Sequence, residues 1–265
     1  MRSQASDAPP ISQHVLRAFR LYGRYYLCRH FHALRILHEC PAAPLDGWPV
    51  LVCLNHPSWW DPMVALALTQ AEPFARRRHH APIFDAALAK YRFFEKIGFF
   101  GIDPASLNGA RRFLDVGSSV LSSPEGVLWV TAQGTFADAR RRPLSLADGI
   151  GHLIRRVRRV AVLPLALEYP FWDERLPEAL VNWGAPIYVN AGDARPARAW
   201  TEEVTAALTV ACDELALAAI ARRPESFRIL LRGTVGIGGV YDIWRSAVAK
   251  IRGSPFRPQR GKEDL

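Results

Sequence analysis

VLVCLNHPSWWDP, residues 50–62, joins a predicted buried strand to a predicted helix through a loop that carries a histidine. The first five residues are all apolar, a pattern typical of a strand that is buried on both faces. Asp61 and Pro62 then predict a helix to about residue 70, because aspartate caps helices and proline fits their first turn. The stretch therefore places His56 just after the end of a core strand.

Outside this stretch, short apolar runs alternate with longer amphipathic segments. The apolar runs predict strands at residues 97–103, 126–132 and 160–169, and the amphipathic segments predict helices at residues 107–121, 146–156 and 200–222. Strands that alternate with helices are typical of a parallel sheet covered by helices. We therefore expect an α/β fold with a mixed, largely parallel central sheet flanked by helices, preceded by an N-terminal amphipathic helix.

The two ends of the chain differ from its middle in charge and pattern. Residues 12–38 contain five arginines, one glycine and no proline, which favours a basic amphipathic helix. Such a helix either lies in a lipid interface or packs on the domain with its arginines in water. We expect a membrane-associating segment at residues 1–44, an α/β domain at 45–223, and a basic tail at 224–265 with an amphipathic piece at 240–251.

The composition fits a folded protein that is attracted to anionic partners. Hydrophobic residues make up 49% of the 265 residues, which is far too much for a disordered chain. Lysine and arginine total 34 against 25 acidic residues, and the formal net charge of +9 favours nucleic acid or an acidic membrane surface. No run reaches the roughly 18 to 20 uninterrupted apolar residues of a spanning helix.

Cysteine usage and the start of the chain indicate a reducing, cytoplasmic setting. The four cysteines form no CxxC pair, which argues against a disulfide framework or a zinc site. Residues 1–10 lack the charged-then-apolar order of a secretory signal. Cys53 lies within a predicted buried strand and is therefore a poor candidate for a thiol nucleophile beside His56.

His56 and Asp61 are the residues best placed for chemistry. A loop histidine can act as a general base near neutral pH, and a carboxylate at the next helix start can accept its second N–H. The nucleophile would then be a hydroxyl of the substrate, since no GxSxG motif is present. The alternative is a locally bonded histidine and an aspartate that only caps the helix.

The arrangement resembles the motif order of the lysophosphatidic acid acyltransferase (PlsC-like) superfamily of glycerolipid acyltransferases. Its Asn-His-x4-Asp signature matches Asn55, His56 and Asp61, and the later blocks match GFFGID at 98–103, LWVTAQGTF at 128–136 and VAVLPL at 160–165. The resemblance implies catalysis by His56 and Asp61, no bound cofactor or metal, and an acyl-CoA or acylated carrier protein as donor. It also implies substrate binding by Asn55, Gln133, Gly134, Thr135 and Phe136.

The sequence departs from the family where a phosphate is bound. The usual arginines of the second and third blocks are replaced by Pro104 and Phe136, and the usual glutamate of the third block is Gln133. Arg111 and Arg140 are candidate replacements, and the alternative is that both belong to a solvated basic face. These departures favour an acceptor other than a simple glycerol phosphate. The run RRRHH at 76–80 either binds donor phosphates or forms a solvated loop.

The resemblance and the residues together predict an O-acyltransferase of phospholipid or related lipid metabolism. We expect a fatty acyl group to pass from a thioester to a hydroxyl of a membrane lipid at the cytoplasmic side of the cell membrane, with peripheral or monotopic attachment. One alternative is a non-catalytic lipid-binding protein on the same fold. The other is a basic nucleic-acid-binding protein, but no helix-turn-helix, zinc-finger or RNP pattern is present, so we expect no nucleic acid partner.

Overall fold

A computed structural model describes residues 8–41 and 45–233, which form one α/β unit. The elements, in chain order, are α1 (Gln13–His30), β1 (Ala33–Ile36), β2 (Val50–Leu54), α2 (Asp61–Leu68), β3 (Arg78–Phe84), α3 (Asp85–Lys90), a 3₁₀ helix (Arg92–Ile97), β4 (Phe99–Ile102), α4 (Leu107–Val120), β5 (Gly126–Thr131), α5 (Gly149–Arg156), β6 (Val160–Glu168), β7 (Glu178–Trp183), β8 (Ile187–Val189), α6 (Ala197–Ala221), a 3₁₀ turn (Pro224–Ser226) and β9 (Arg228–Arg232).

The described strands form one nine-stranded mixed sheet. Their order is β4-β3-β5-β2-β6-β7-β1-β9, and β8 pairs with β6. The central strands β3, β5, β2 and β6 are parallel, whereas β7, β8 and β9 pair antiparallel with their neighbours β6, β6 and β1. The predicted fold class is therefore confirmed. Because β5, β2 and β6 run in parallel, their carboxyl ends meet at one edge of the sheet.

Helices cover both faces of this sheet. On one face, Val50, Val52 and Leu54 of β2 pack with residues of α1 and α2. On the other face, Leu51 and Cys53 pack with residues of α4, α5 and the start of α6. All five residues of β2 are buried, as expected for a strand between two parallel neighbours. Because alternate side chains of β2 are buried on opposite faces of the sheet, the register of this strand is fixed. The position of the loop that follows β2 is fixed with it.

The predicted N-terminal helix is shorter than expected. It ends at His30, and residues 33–36 form β1, which pairs with β7 and with β9. Arg35 lies on this buried strand because its guanidinium donates to the Glu178 carboxylate of β7 at 2.9 Å. The ion pair explains why an arginine that fitted an amphipathic helix belongs to the core sheet.

Both flanking segments contribute strands to the sheet. β1 comes from the segment expected to end at residue 44, and β9 comes from the segment expected to begin at residue 224. The sheet therefore extends beyond the predicted domain limits of 45 and 223. The amphipathic piece predicted at residues 240–251 lies outside the described residues.

The other predicted elements are present with small shifts at their ends, but several strands were not predicted. The run at 76–80 is not a loop throughout, since β3 begins at Arg78 and runs between β4 and β5. The apolar run at 97–103 is split between the 3₁₀ helix and β4, with Gly98 at a positive φ of 100° between them. A side chain at Gly98 would collide with the His79 carbonyl, so glycine is required there.

One described helix, α6, is long and apolar enough to cross a membrane by length and composition alone. Acidic residues interrupt its apolar sequence at Glu202, Glu203, Asp213 and Glu214. Its inner side packs on the sheet through Trp200 and Leu208, which are fully buried.

Candidate active site

His56 and Asp61 meet at the carboxyl end of β2. The His56 Nδ1 atom lies 2.6 Å from Asp61 Oδ2, and the carboxylate is fully buried while the imidazole is 16% exposed. A carboxylate accepts hydrogen bonds, so the proton of the neutral ring lies on Nδ1 and the lone pair lies on Nε2. This tautomer is the one in which Nε2 can accept a proton from a substrate.

The Asp61 carboxylate has two further donors. The Tyr169 hydroxyl donates to Oδ1 at 2.7 Å, and the Ser58 N–H donates to Oδ2 at 3.3 Å. Burial raises the pKa of Asp61 above its ordinary value, whereas the hydrogen bonds from His56, Tyr169 and Ser58 stabilise the charged form and oppose that rise. The carboxylate is thus held in a fixed orientation by three groups.

Tyr169 is a site residue that the sequence analysis did not assign. It directly follows β6, the parallel neighbour of β2, with Leu165 in register with Leu54. Burial and the neighbouring Asp61 raise its pKa well above 10, so the hydroxyl remains a donor. The sequence feature that could have indicated Tyr169 is its position as the last residue of the strand predicted at 160–169.

The His56 loop is attached to both neighbouring strands. The Gln133 Oε1 atom, just after β5, accepts the backbone N–H of His56 at 2.9 Å. Asn55 is 2% exposed, and its amide exchanges two hydrogen bonds with the backbone of Leu167 in β6, at 2.9 and 2.8 Å. The predicted substrate-binding role therefore does not fit Asn55, because both of its amide atoms serve to position the loop.

The segment after β5 passes over the imidazole. The Phe136 ring is 62% exposed and its centroid lies 4.2 Å from that of His56. Gly134 has a positive φ of 71°, and its N–H already donates to the Thr131 carbonyl at 3.0 Å. That N–H is therefore not available to a substrate oxyanion. Thr135 is exposed beside Phe136.

The two candidate replacement arginines lie in different places. Arg140 donates to the Glu168 carboxylate at 2.9 and 2.5 Å, and both residues line a polar cavity of about 660 Å³ with Ser58 and Tyr169. Burial raises the pKa of Glu168, and Arg140 opposes that rise. Arg111 is exposed on α4 and does not line this cavity.

A separate, apolar cavity of about 240 Å³ borders Asp61. It is enclosed by α1, α2, β3 and the 3₁₀ helix, and its lining includes Leu54, Trp59, Asp61, Phe99 and Thr131. Trp59 and Phe99 contribute aromatic rings to this lining. The ring of Trp60 packs instead on Tyr26 and Phe31.

Two other candidate groups are buried in unreactive forms. Burial raises the pKa of the Cys53 thiol to about 12 and lowers the pKa of His79 to about 3. Among residues 8–41 and 45–233, no cluster of three or more His, Cys, Asp or Glu side chains could hold a metal ion.

Comparisons with known proteins support the fold. The sequence matches no protein-family model and no curated protein. The structure is similar to the crystal structure of the 1-acyl-sn-glycerophosphate (LPA) acyltransferase PlsC from Thermotoga maritima, with a TM-score of 0.53 and 13% identity. The similarity covers 77% of this chain and 81% of that chain, and at this identity it establishes a shared fold.

Proposed function

We propose that this chain is an O-acyltransferase that moves a fatty acyl group from a thioester to a hydroxyl of a membrane lipid. The main support is the hydrogen bond of 2.6 Å between His56 Nδ1 and the buried Asp61 carboxylate, which leaves Nε2 as the base. In this scheme Nε2 takes the proton of the lipid hydroxyl while that oxygen attacks the thioester carbonyl. The tetrahedral intermediate then expels the thiolate, which takes the proton back from His56.

The apolar cavity provides a place for the acyl chain of the donor. It borders Asp61 and Trp59 and is lined mostly by apolar side chains, so burial of a hydrocarbon chain there is favourable. The donor would be acyl-CoA or an acylated carrier protein. The scheme requires neither an acyl-enzyme nor a metal.

The polar cavity provides a place for the head group of the acceptor. It contacts the His56 loop through Pro57 and Ser58, and its Arg140 is neutralised by Glu168. A phosphate would have to compete with that carboxylate for the guanidinium. This arrangement supports an acceptor with an uncharged or zwitterionic head group, such as a glycolipid or a lyso-aminolipid.

An exposed aromatic surface next to the cavity would bind the membrane. We define this membrane surface as Leu21, Tyr22, Tyr25, Trp59 and Phe93, each at least 40% exposed. Exposed arginines at positions 17 and 24 of α1 flank it, which suits an anionic lipid interface. Trp59 also lines the apolar cavity, so the cavity would receive lipid from the membrane at the cytoplasmic side of the cell membrane.

A triple substitution tests the membrane surface without disturbing the sheet. Changing Leu21, Tyr22 and Tyr25 to serine should lower binding to anionic vesicles about tenfold or more, because three inserted apolar groups are lost. Vesicle sedimentation of the full chain measures the effect. The matched control changes Leu107, Val210 and Leu217, which are exposed on α4 and α6, to serine and should leave binding unchanged. Equal losses in both variants would contradict this assignment.

Acyl transfer itself is tested with purified full chain and defined substrates. The protein is mixed with acyl-CoA or acylated carrier protein and vesicles that contain one hydroxylated acceptor lipid. Release of free thiol and mass spectrometry of the lipids report the reaction. We expect transfer, with a glycolipid or lyso-aminolipid faster than lysophosphatidic acid. Saturable lipid binding without transfer from either donor would contradict the proposal and favour a lipid-binding protein.

Replacing Tyr169 with phenylalanine tests its role as a positioning residue. We expect kcat to fall about three- to tenfold, because the substitution removes one of the donors that stabilise the Asp61 carboxylate. The acidic limb of the pH–rate profile should move to higher pH, since loss of this donor raises the pKa of Asp61 further. Tyr91→Phe, at an exposed tyrosine, is the control. An unchanged pH profile in Tyr169→Phe would contradict the positioning role.

A further inference from the structure

The apolar cavity ends in polar side chains at the end away from Asp61. Asp61 begins α2 and Thr69 follows it, and both line the cavity, so the cavity extends about 12 Å along this helix at ~1.5 Å per residue. Arg20, His79 and His80 also line a second, polar cavity of about 660 Å³ on the outer side. We call the group of Arg20, Thr69, His79 and His80 the junction. Arg20, His79 and His80 border both cavities, and Thr69 borders the apolar cavity.

Arg20 brings an uncompensated positive charge to the junction. Its Nη2 atom donates to Thr69 Oγ1 at 3.2 Å, but its buried Nε has no acceptor. Within residues 8–41 and 45–233, no carboxylate forms an ion pair with Arg20, although Glu125 lines the outer cavity. Burial lowers the pKa of Arg20, yet a guanidinium stays charged at neutral pH. A partly buried cation without a counter-charge costs free energy.

The histidines of the junction supply no negative charge. His79 is neutral, donates from Nε2 to the Phe74 carbonyl at 2.9 Å and accepts from the Trp129 indole at 3.1 Å. His80 donates from Nε2 to the Pro9 carbonyl at 3.1 Å, and its Nδ1 is buried without a partner. Two of the five buried side-chain polar atoms that lack a partner in the described residues are therefore at the junction.

We propose that the junction binds the carboxylate of a free fatty acid whose hydrocarbon chain lies in the apolar cavity and points toward Asp61. One unpaired cation at the end of an apolar cavity matches a single chain with one negative head group. A bridging water would pair with Arg20 Nε but would leave the charge uncompensated and the cavity empty. The bound fatty acid would occupy the space of the donor chain and inhibit transfer, a consequence that rests on the proposed function.

Comparing the affinities for dodecanoate and dodecanol isolates the effect of the carboxylate charge, because the two molecules have the same chain length. Calorimetry on the full chain, at concentrations where both ligands are monomeric, should show at least about tenfold tighter binding of dodecanoate, since a charge-assisted hydrogen bond is gained. Arg20→Leu should remove this preference and leave the affinity for dodecanol unchanged. Equal binding of acid and alcohol by the unmodified chain would overturn the proposal.

Two variants control for net charge and for folding. Arg24→Leu removes the same charge from an exposed position one turn further along α1 and should retain the preference for dodecanoate. Arg20→Lys keeps a cation at the junction and should retain most of the preference for dodecanoate. This variant keeps the test decisive if Arg20→Leu does not fold. A preference that survives in folded Arg20→Leu would overturn the proposal. Neither donor nor acceptor is present, so failure of acyl transfer would leave this comparison unaffected.

Discussion

His56→Ala should lower the rate of acyl transfer by about 10²- to 10⁴-fold, the range expected when a general base is removed. Without the imidazole, no group at this position takes the proton of the attacking hydroxyl. The loop should keep its place, because it is held by the Gln133 side chain and the backbone of Leu167 rather than by the ring. The measurement is the initial rate of thiol release with saturating donor and acceptor.

His152→Ala is the matched control for this prediction. His152 is exposed on α5, so its substitution should leave both the rate and the unfolding temperature unchanged. Circular dichroism and thermal unfolding show whether His56→Ala is folded. A folded His56→Ala protein with an undiminished rate would remove His56 from the mechanism.

The pairing of His56 with Asp61 could be predicted because it is local. The two residues are five positions apart, and a strand, a loop and a helix start leave few ways to separate them. The apolar run of β2 fixed the point at which the loop begins, and Asp61-Pro62 fixed the point at which the helix begins. Burial of the carboxylate at the edge of the sheet then follows from the parallel strands on both sides.

The contacts with the rest of the site could not be predicted because they join distant segments. Tyr169 meets Asp61 across 108 positions, and Asn55 meets Leu167 across 112. Both contacts depend on the adjacency of β2 and β6. The hydropathy pattern along either segment does not indicate which strands lie next to each other in the sheet. The same limit applies to Arg140, whose charge is cancelled by Glu168 from another strand end.

Two of the strands that were not predicted, β1 and β3, carry charged or imidazole side chains. β1 contains Arg35, which is compensated by Glu178 across 143 positions, and β3 begins with an arginine and two histidines. Hydropathy alone assigns such residues to a surface. They fold into the sheet because partners from other segments satisfy their polar atoms, as the Phe74 carbonyl and the Trp129 indole do for His79.

Asp61→Asn should lower the rate about 10³- to 10⁴-fold although the side chain keeps its shape. The amide NH₂ of asparagine would donate to His56 Nδ1, which forces the ring proton onto Nε2 and removes the lone pair needed by the base. The Tyr169 hydroxyl can still donate to the amide oxygen, so the fold should persist. Asp213→Asn, at an exposed residue of α6, is the control and should retain the full rate.

Asp61→Asn should also become more stable relative to the unmodified chain as the pH rises. Burial raises the pKa of Asp61 in the folded state above 3.8, so the folded protein holds this proton more tightly than the unfolded chain. The stabilisation from Asp61 is then fully present below that ordinary value and is lost as the pH rises through the folded pKa. Asparagine does not titrate, so the stability of Asp61→Asn relative to the unmodified chain should increase over this range. Urea unfolding of both proteins at several pH values measures the difference in their free energies of unfolding. If the stability of Asp61→Asn relative to the unmodified chain instead falls as the pH rises, hydrogen bonding outweighs burial at this carboxylate.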